Sequence, residues 1–183
     1  MTATAEHART RAGFSLIETV IAMGLLATGL LGLAGVFTLG LGHLAGSSAT
    51  LIAREKAREA IESVHAARDT RVITWAQIRN VADGGVFANG EQPLRMPGPD
   101  GLVNTADDVG TEDLLGPGAD NVMGTPDDVR TPLVAYTREI IITNLVSNGV
   151  VNPNLRQLQV IVRYRVGSGR RQYTLTTYIS SIS

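Results

Sequence analysis

The stretch RAGFSLIETVIAMGLLATGLLGLAGVF, at residues 11–37, decides the fold of this 183-residue chain. No Asp, Glu, Lys or Arg occurs at residues 19–53, and a membrane-spanning helix needs only about 20 predominantly apolar residues. A secretory signal has a shorter apolar core, of about 7–15 residues. The stretch therefore predicts a single membrane-spanning helix.

The charges in front of the apolar run predict its orientation. Arg9 and Arg11 precede it, and basic residues flanking a span favour the cytoplasmic side. We therefore expect the N-terminus in the cytoplasm and everything after the span outside the inner membrane.

One carboxylate, Glu18, lies near the start of the run. A charged side chain in a membrane helix costs roughly 2.5–3.5 kcal/mol on insertion scales. Two interpretations are open: Glu18 pairs with a specific opposite charge, or it lies among the lipid headgroups and has no specific partner.

The motif Gly13-Phe14-Ser15-Leu16-Ile17-Glu18, placed between a basic leader and the apolar run, resembles the signal of type IV prepilins and type II secretion pseudopilins. The resemblance implies that a prepilin peptidase removes residues 1–13 by cutting between Gly13 and Phe14. It also implies N-methylation of Phe14. The further partners that it implies are other pilin subunits and an inner-membrane assembly platform.

This resemblance also gives Glu18 a role in assembly. After cleavage, Phe14 would carry a charged amino group, and filament packing would bring Glu18 of one subunit near the Phe14 amine of its neighbour. Opposite charges attract strongly where the dielectric constant is low, and pairing offsets part of the desolvation cost.

Within the run, ATGLLGLAGVF resembles the PilV-type minor pilins and, less closely, the minor pseudopilins of the I class. Gly35 stands where many major pilins have a proline. The recurring glycines suit close helix packing in a membrane, and they also suit a helix that stretches or partly melts in a filament.

The helix is predicted to continue beyond the membrane, over residues 14–68 in all. A stripe of small and apolar residues recurs at helical spacing, formed by Ala53, Ala57, Ala60, Ile61, Val64 and Ala67. This stripe favours a spine that packs on the globular head of its own chain. A coiled coil with a partner is the alternative.

The C-terminal part of the chain is predicted to form an antiparallel meander at residues 133–181. Apolar residues alternate with polar ones from Leu158 to Val166 and again from Gln172 to Ser180, with GSG at residues 167–169 between them. The predicted fold class is therefore α+β and pilin-like, with residues 69–183 as the globular head.

Residues 97–130 are predicted to form acidic loops that contain an internal repeat. GPDGLVNTADDV at residues 98–109 aligns without a gap with GADNVMGTPDDV at residues 118–129. Calcium prefers oxygen ligands on flexible backbone, so calcium is a candidate cofactor. The candidate ligands are Asp100, Asp107, Asp108, Asp120, Asp127 and Asp128. Alternatively, each Asp accepts hydrogen bonds from its own turn.

Other features exclude several classes of function. The chain has no cysteine, and its formal net charge is −1, so neither disulfides nor a general attraction to nucleic acid is expected. No phosphate-binding or catalytic motif is present, so an enzyme is not expected. Four arginines lie near the last hairpin, but no aromatic residues alternate with them as a nucleic-acid platform would need.

The sequence therefore predicts a minor pilin-like subunit that takes part in priming a type IV pilus. It would lie in the inner membrane and then in the pilus or at the cell surface. The alternatives are a minor pseudopilin of a type II secretion system and a single-span, membrane-anchored calcium-binding surface protein.

Overall fold

The computed structural model describes residues 15–181. The chain divides into two compact units, Met1–Leu44 and Ala45–Ser183. A single helix, α1 (Leu16–Asp69), contributes to both units. The sequence predicted this helix at residues 14–68, and the predicted Gly13 and Phe14 site lies outside the described residues.

In the first unit, the described part of α1 exposes every side chain from Leu16 to Leu41. It is the one described helix that is long and apolar enough to cross a membrane, with a mean hydropathy of 2.2 and no buried residue in the apolar window. A Cβ added at any of five glycines would have no neighbouring atom within 4 Å; these are Gly24, Gly29, Gly32, Gly35 and Gly40. This surface is available to lipid or to other helices.

In the second unit, the end of α1 packs on a sheet through the predicted stripe. Ala53, Ala57, Ala60 and Val64 are fully buried, and Ala67 is nearly so. Small side chains allow the helix backbone to approach the sheet closely, and they form one apolar core with residues of the sheet. The prediction of an α+β fold is confirmed.

The main sheet has four antiparallel strands in the order β1–β4–β5–β6. Its strands are β1 (Gln92–Pro93), β4 (Thr137–Ser147), β5 (Val150–Val166) and β6 (Gly169–Ser180). The last three form the predicted meander. Pro153 lies opposite a register shift between Asn144 and Val146, where a missing backbone donor disrupts the ladder least.

The acidic loops contain regular structure that the sequence pattern did not predict. Strands β2 (Asp113–Gly116) and β3 (Val129–Pro132) pair as an antiparallel ribbon, which carries the second copy of the repeat at its tip. Two one-turn 3₁₀ helices, Trp75–Gln77 and Val81–Asp83, connect α1 to the sheet region.

Candidate functional site

Glu18 lies in the first turn of α1 and is exposed. A carboxylate interacts favourably with the positive end of a helix dipole at this position. Large apolar side chains surround it on the same exposed helix, including Leu16 at 83% and Ile21 at 58% exposure. The carboxylate of Glu18 is therefore accessible at the start of α1.

The first acidic turn, residues 98–109, is held together by its own aspartates. Asp100 accepts a hydrogen bond from the backbone of Leu102 at 2.8 Å, and Asp108 accepts one from Asn104 at 2.7 Å. The hydroxyl of Thr105 donates to Asp107 at 2.8 Å and lies 2.9 Å from Asp108. These contacts match the alternative interpretation, in which the carboxylates cap their own backbone.

The second acidic turn, residues 118–129, repeats these contacts position by position. Asp120 accepts from the backbone of Val122 at 2.9 Å, and Asp128 accepts from Gly124 at 2.7 Å. The hydroxyl of Thr125 donates to Asp127 at 2.7 Å. The sequence repeat is therefore a structural unit that occurs twice.

Two glycines explain why each turn folds so tightly. A Cβ added at Gly98 would lie 2.2 Å from Oδ2 of Asp107, and one added at Gly118 would lie 2.2 Å from the carbonyl oxygen of Asp127. Neither distance is compatible with a side chain. The aspartate that closes each turn therefore lies directly against a glycine.

The threonine hydroxyls shift the pKa of one aspartate in each turn in the same direction. The hydroxyl of Thr105 holds the pKa of Asp107 below its ordinary value, and that of Thr125 does the same for Asp127. Burial raises the pKa of Asp108, against the hydrogen bond that it receives from Thr105. Asp107 and Asp127 are thus held in the charged form.

Across residues 15–181, no group of three or more His, Asp or Glu side chains is arranged to hold a metal ion. The six predicted aspartates are divided between the two turns, and in each turn they accept hydrogen bonds from amides and hydroxyls. A calcium ion at either turn would also need backbone carbonyls and water as ligands.

The first turn is anchored to the core of the head. Asn104 donates to the carbonyl of Arg138 at 3.0 Å and accepts from Nε of Arg138 at 2.8 Å. Arg138 lies on the buried face of β4 and is 0% exposed. Burial lowers the pKa of Arg138, while the nearby carboxylates of Glu112, Glu59 and Asp108 oppose this effect.

An ion cluster ties Glu112, which lies shortly after this turn in the sequence, to the helix. Lys56 on α1 pairs with Glu112 and also with Glu59, the latter at 2.8 Å. Burial alone would lower the pKa of Lys56, but the two carboxylates raise it above its ordinary value. The first acidic turn is thus part of the packed head, joined to both the helix and the sheet.

The sequence did not indicate that Arg138, Lys56 and Glu112 would take part in these buried polar contacts. Arg138 occupies an inward position in an alternating strand, between Tyr136 and Ile140. That position was the available signal, because an arginine facing the core needs hydrogen-bonding partners nearby.

The four arginines near the β5–β6 hairpin are partly neutralised; they are Arg163, Arg165, Arg170 and Arg171. Arg163 pairs with Glu139 at 2.7 Å and lies 3.5 Å from Glu91, and Arg170 also pairs with Glu91. Arg165 and Arg171 are exposed and make no ion pair within the described residues 15–181.

Comparison with known proteins finds one similarity, at the N-terminal end of the chain. The prokaryotic N-terminal methylation motif matches residues 8–34. This motif is that of type IV pilin- and pseudopilin-like subunits, and here it occurs at the start of a long helix in a chain with a pilin-like α+β fold. The match ends within α1 and does not extend into the head, so it shows what the N-terminal segment is similar to and not which member of the group the chain is. No curated protein and no solved structure matches the chain significantly.

Proposed function

We propose that this chain is a PilV-like minor pilin that takes part in priming the assembly of a type IV pilus. The observation that carries the proposal is the methylation motif at residues 8–34, continuous with an exposed apolar helix that leads into an α+β head. A helix with no buried residue in its apolar window needs lipid before assembly and neighbouring helices afterwards.

The proposed processing follows from the motif. Prepilin peptidase cuts between Gly13 and Phe14, and the new N-terminal Phe14 is methylated. The amino group of Phe14 in one subunit then pairs with Glu18 of its neighbour. The exposure of Glu18 at the start of α1 supports this pairing, because a neighbour can reach the carboxylate.

The proposed location follows from the same features. The chain begins as a single-span protein of the inner membrane, with its N-terminus in the cytoplasm and its head outside. It meets the assembly platform there and enters the filament with other pilin subunits. The basic residues Arg9 and Arg11 before the span support this orientation.

Two alternative functions are compatible with part of this evidence. One shares the methylation motif, and the other shares only the membrane span. A minor pseudopilin of a type II secretion system would have the same processing but would enter a secretion pseudopilus. A membrane-anchored calcium-binding surface protein would keep its leader and enter no filament.

The test is the fate of the chain in cells that make type IV pili. We expect an epitope-tagged chain to co-purify with sheared pili, in fewer copies than the main subunit. It should disappear from that fraction when prepilin peptidase is deleted. A chain that stays in the membrane fraction of piliated cells, with pili fully formed in its absence, would contradict the proposal.

A further inference from the structure

The two acidic turns differ in what their apolar residues contact. In the first turn, Leu102 and Val103 are 0% and 1% exposed and belong to the core of the head. The residues at the same positions of the second turn, Val122 and Met123, are 54% and 52% exposed. The apolar pair of the first turn is therefore packed in the head, whereas the corresponding pair of the second turn is exposed to solvent.

The second turn cannot use the docking site of the first. That site is filled, and its polar anchor is the contact between Asn104 and Arg138. The residue that corresponds to Asn104 in the second turn is Gly124, which has no side chain to make this contact. The β2–β3 ribbon thus carries an exposed apolar tip that does not enter the docking site of the first turn.

The charge around this tip is negative. Asp120, Asp127 and Asp128 flank Val122 and Met123, and none of the three aspartates makes an ion pair within the described part of the chain. A surface that receives the tip should therefore have an apolar floor and a positive rim.

The same head offers such a surface beside the β5–β6 hairpin. An open cavity of about 470 Å³ is lined by Val134, Tyr164 and the arginines Arg163, Arg165 and Arg170. Glu91 also lines it and pairs with Arg170, so among the described residues Arg165 carries the unpaired positive charge. Val134 is 77% exposed at this cavity, and Arg165 has no carboxylate partner within residues 15–181. An exposed apolar side chain with an unneutralised arginine beside it complements the acidic tip.

We propose that the second acidic turn of one copy docks on the Val134 cavity of a second copy of this chain. Val122 and Met123 cover Val134, and the turn's aspartates face Arg165 at the rim. The two surfaces differ, so the contact is heterologous and does not require a two-fold axis between the two copies. This inference rests on the proposed function, because it describes how two copies of this chain engage through their heads during priming.

Crosslinking tests the contact in the intact protein, and the lack of any native cysteine makes introduced thiols unique. Met123→Cys and Val134→Cys are placed on two differently tagged full-length chains that are expressed together. A short bismaleimide is then applied to cells under assembly conditions. We expect a crosslinked product that carries both tags, and severalfold less of it when Arg165→Glu is added to the Val134→Cys chain.

Matched controls separate docking from random collision. Val150→Cys, at an exposed site of the β4–β5 hairpin, should give severalfold less product with Met123→Cys. Arg95→Glu, an exposed arginine outside the cavity, should leave the crosslink unchanged. Equal product from the Val134 and Val150 sites, or no mixed-tag product at all, would overturn the inference.

Failure of the docking contact can be distinguished from failure of the proposed function. If the tagged chain co-purifies with sheared pili but gives no Met123–Val134 crosslink, the filament role stands and the docking contact is wrong. If the chain never enters the pilus fraction, the proposed function fails. A crosslink formed in the membrane alone would then still support contact between copies.

Discussion

Lys56 on the spine helix and Glu112 after the first acidic turn form an ion pair whose side chains are only 15% and 8% exposed. The pair joins segments that are far apart in sequence. A second carboxylate, that of Glu59, also contacts Lys56 at 2.8 Å. This relationship fixes the first turn to the helix and supports the core beneath it.

Replacing Lys56 with methionine should destabilise the head by about 3 kcal/mol, because it leaves the buried carboxylate of Glu112 without its partner. The matched control is Arg58→Ala, whose exposed pair with Glu62 should contribute little to stability because solvent screens it. Chemical unfolding of the full chain in detergent measures both. Equal losses for the two variants would contradict the assigned role of Lys56.

The pH dependence of this pair has a definite sign. The folded pKa of Lys56 is raised above its ordinary 10.5. Its contribution to stability is therefore complete below that value and is lost as the pH rises through the folded pKa. The difference in unfolding free energy between the native chain and Lys56→Met should shrink in strongly alkaline buffer and stay constant from neutral pH to pH 9. A difference that falls between pH 6 and 9 would contradict this.

The sequence predicted the helix and the three long strands because their patterns are local. The alanine stripe from Ala53 to Ala67 repeats at helical spacing, and residues 158–166 alternate with a period of two. Burial follows both patterns in the structure. The internal repeat was also visible, because its aspartates, threonines and glycines keep their spacing.

The features that the sequence did not predict depend on contacts between residues that are distant in sequence. Arg138 interrupts an apolar face, and its partner Asn104 belongs to a loop far along the chain. No pattern in either segment alone indicates the other. The same limit explains why the sequence treated the two acidic turns as equivalent, since only packing shows that Leu102 is buried and Val122 exposed.

Gly98→Ala and Gly118→Ala form a matched test of this difference. Both introduce a Cβ at 2.2 Å from an atom of the facing aspartate, so each should disrupt its own turn. Gly98→Ala should also lower the melting temperature of the head, because the first turn contributes Leu102 and Val103 to the core. Gly118→Ala should leave the melting temperature nearly unchanged. Equal shifts for the two variants would contradict the structural difference between the turns.

Calcium binding by the acidic turns stays a prediction. If Asp107 and Asp127 help to bind the ion, calcium should raise the melting temperature of the full chain in detergent above its value in chelator. A ligand specific to the folded state adds about 2.7 kcal/mol at one hundred times Kd. The gain should exceed that with magnesium, which demands a stricter octahedral geometry.

The double variant Asp107→Asn with Asp127→Asn serves as the control and should abolish the calcium effect. If the native chain has the same melting temperature with calcium and with chelator, the calcium hypothesis is contradicted. These aspartates would then serve only to accept the hydrogen bonds from Thr105 and Thr125.

Glu18→Ala should be cleaved normally and should insert at least as well as the native chain, because the change removes a desolvation cost. It should nevertheless enter filaments poorly, because the Phe14 amine of the neighbour loses its partner. Comparing the variant in membrane and sheared-pilus fractions measures both steps. Incorporation at native levels would refute the pairing, and the interpretation of Glu18 as a headgroup-level residue would replace it.

The mature N-terminus tests the central claim most directly. Mass spectrometry of the chain purified from membranes of peptidase-containing cells should find a terminal, N-methylated Phe14, and Gly13 replaced by a bulky residue should leave the leader attached. A native chain that still begins at Met1, or at any residue other than Phe14, would contradict the account of this protein as a processed pilin-like subunit.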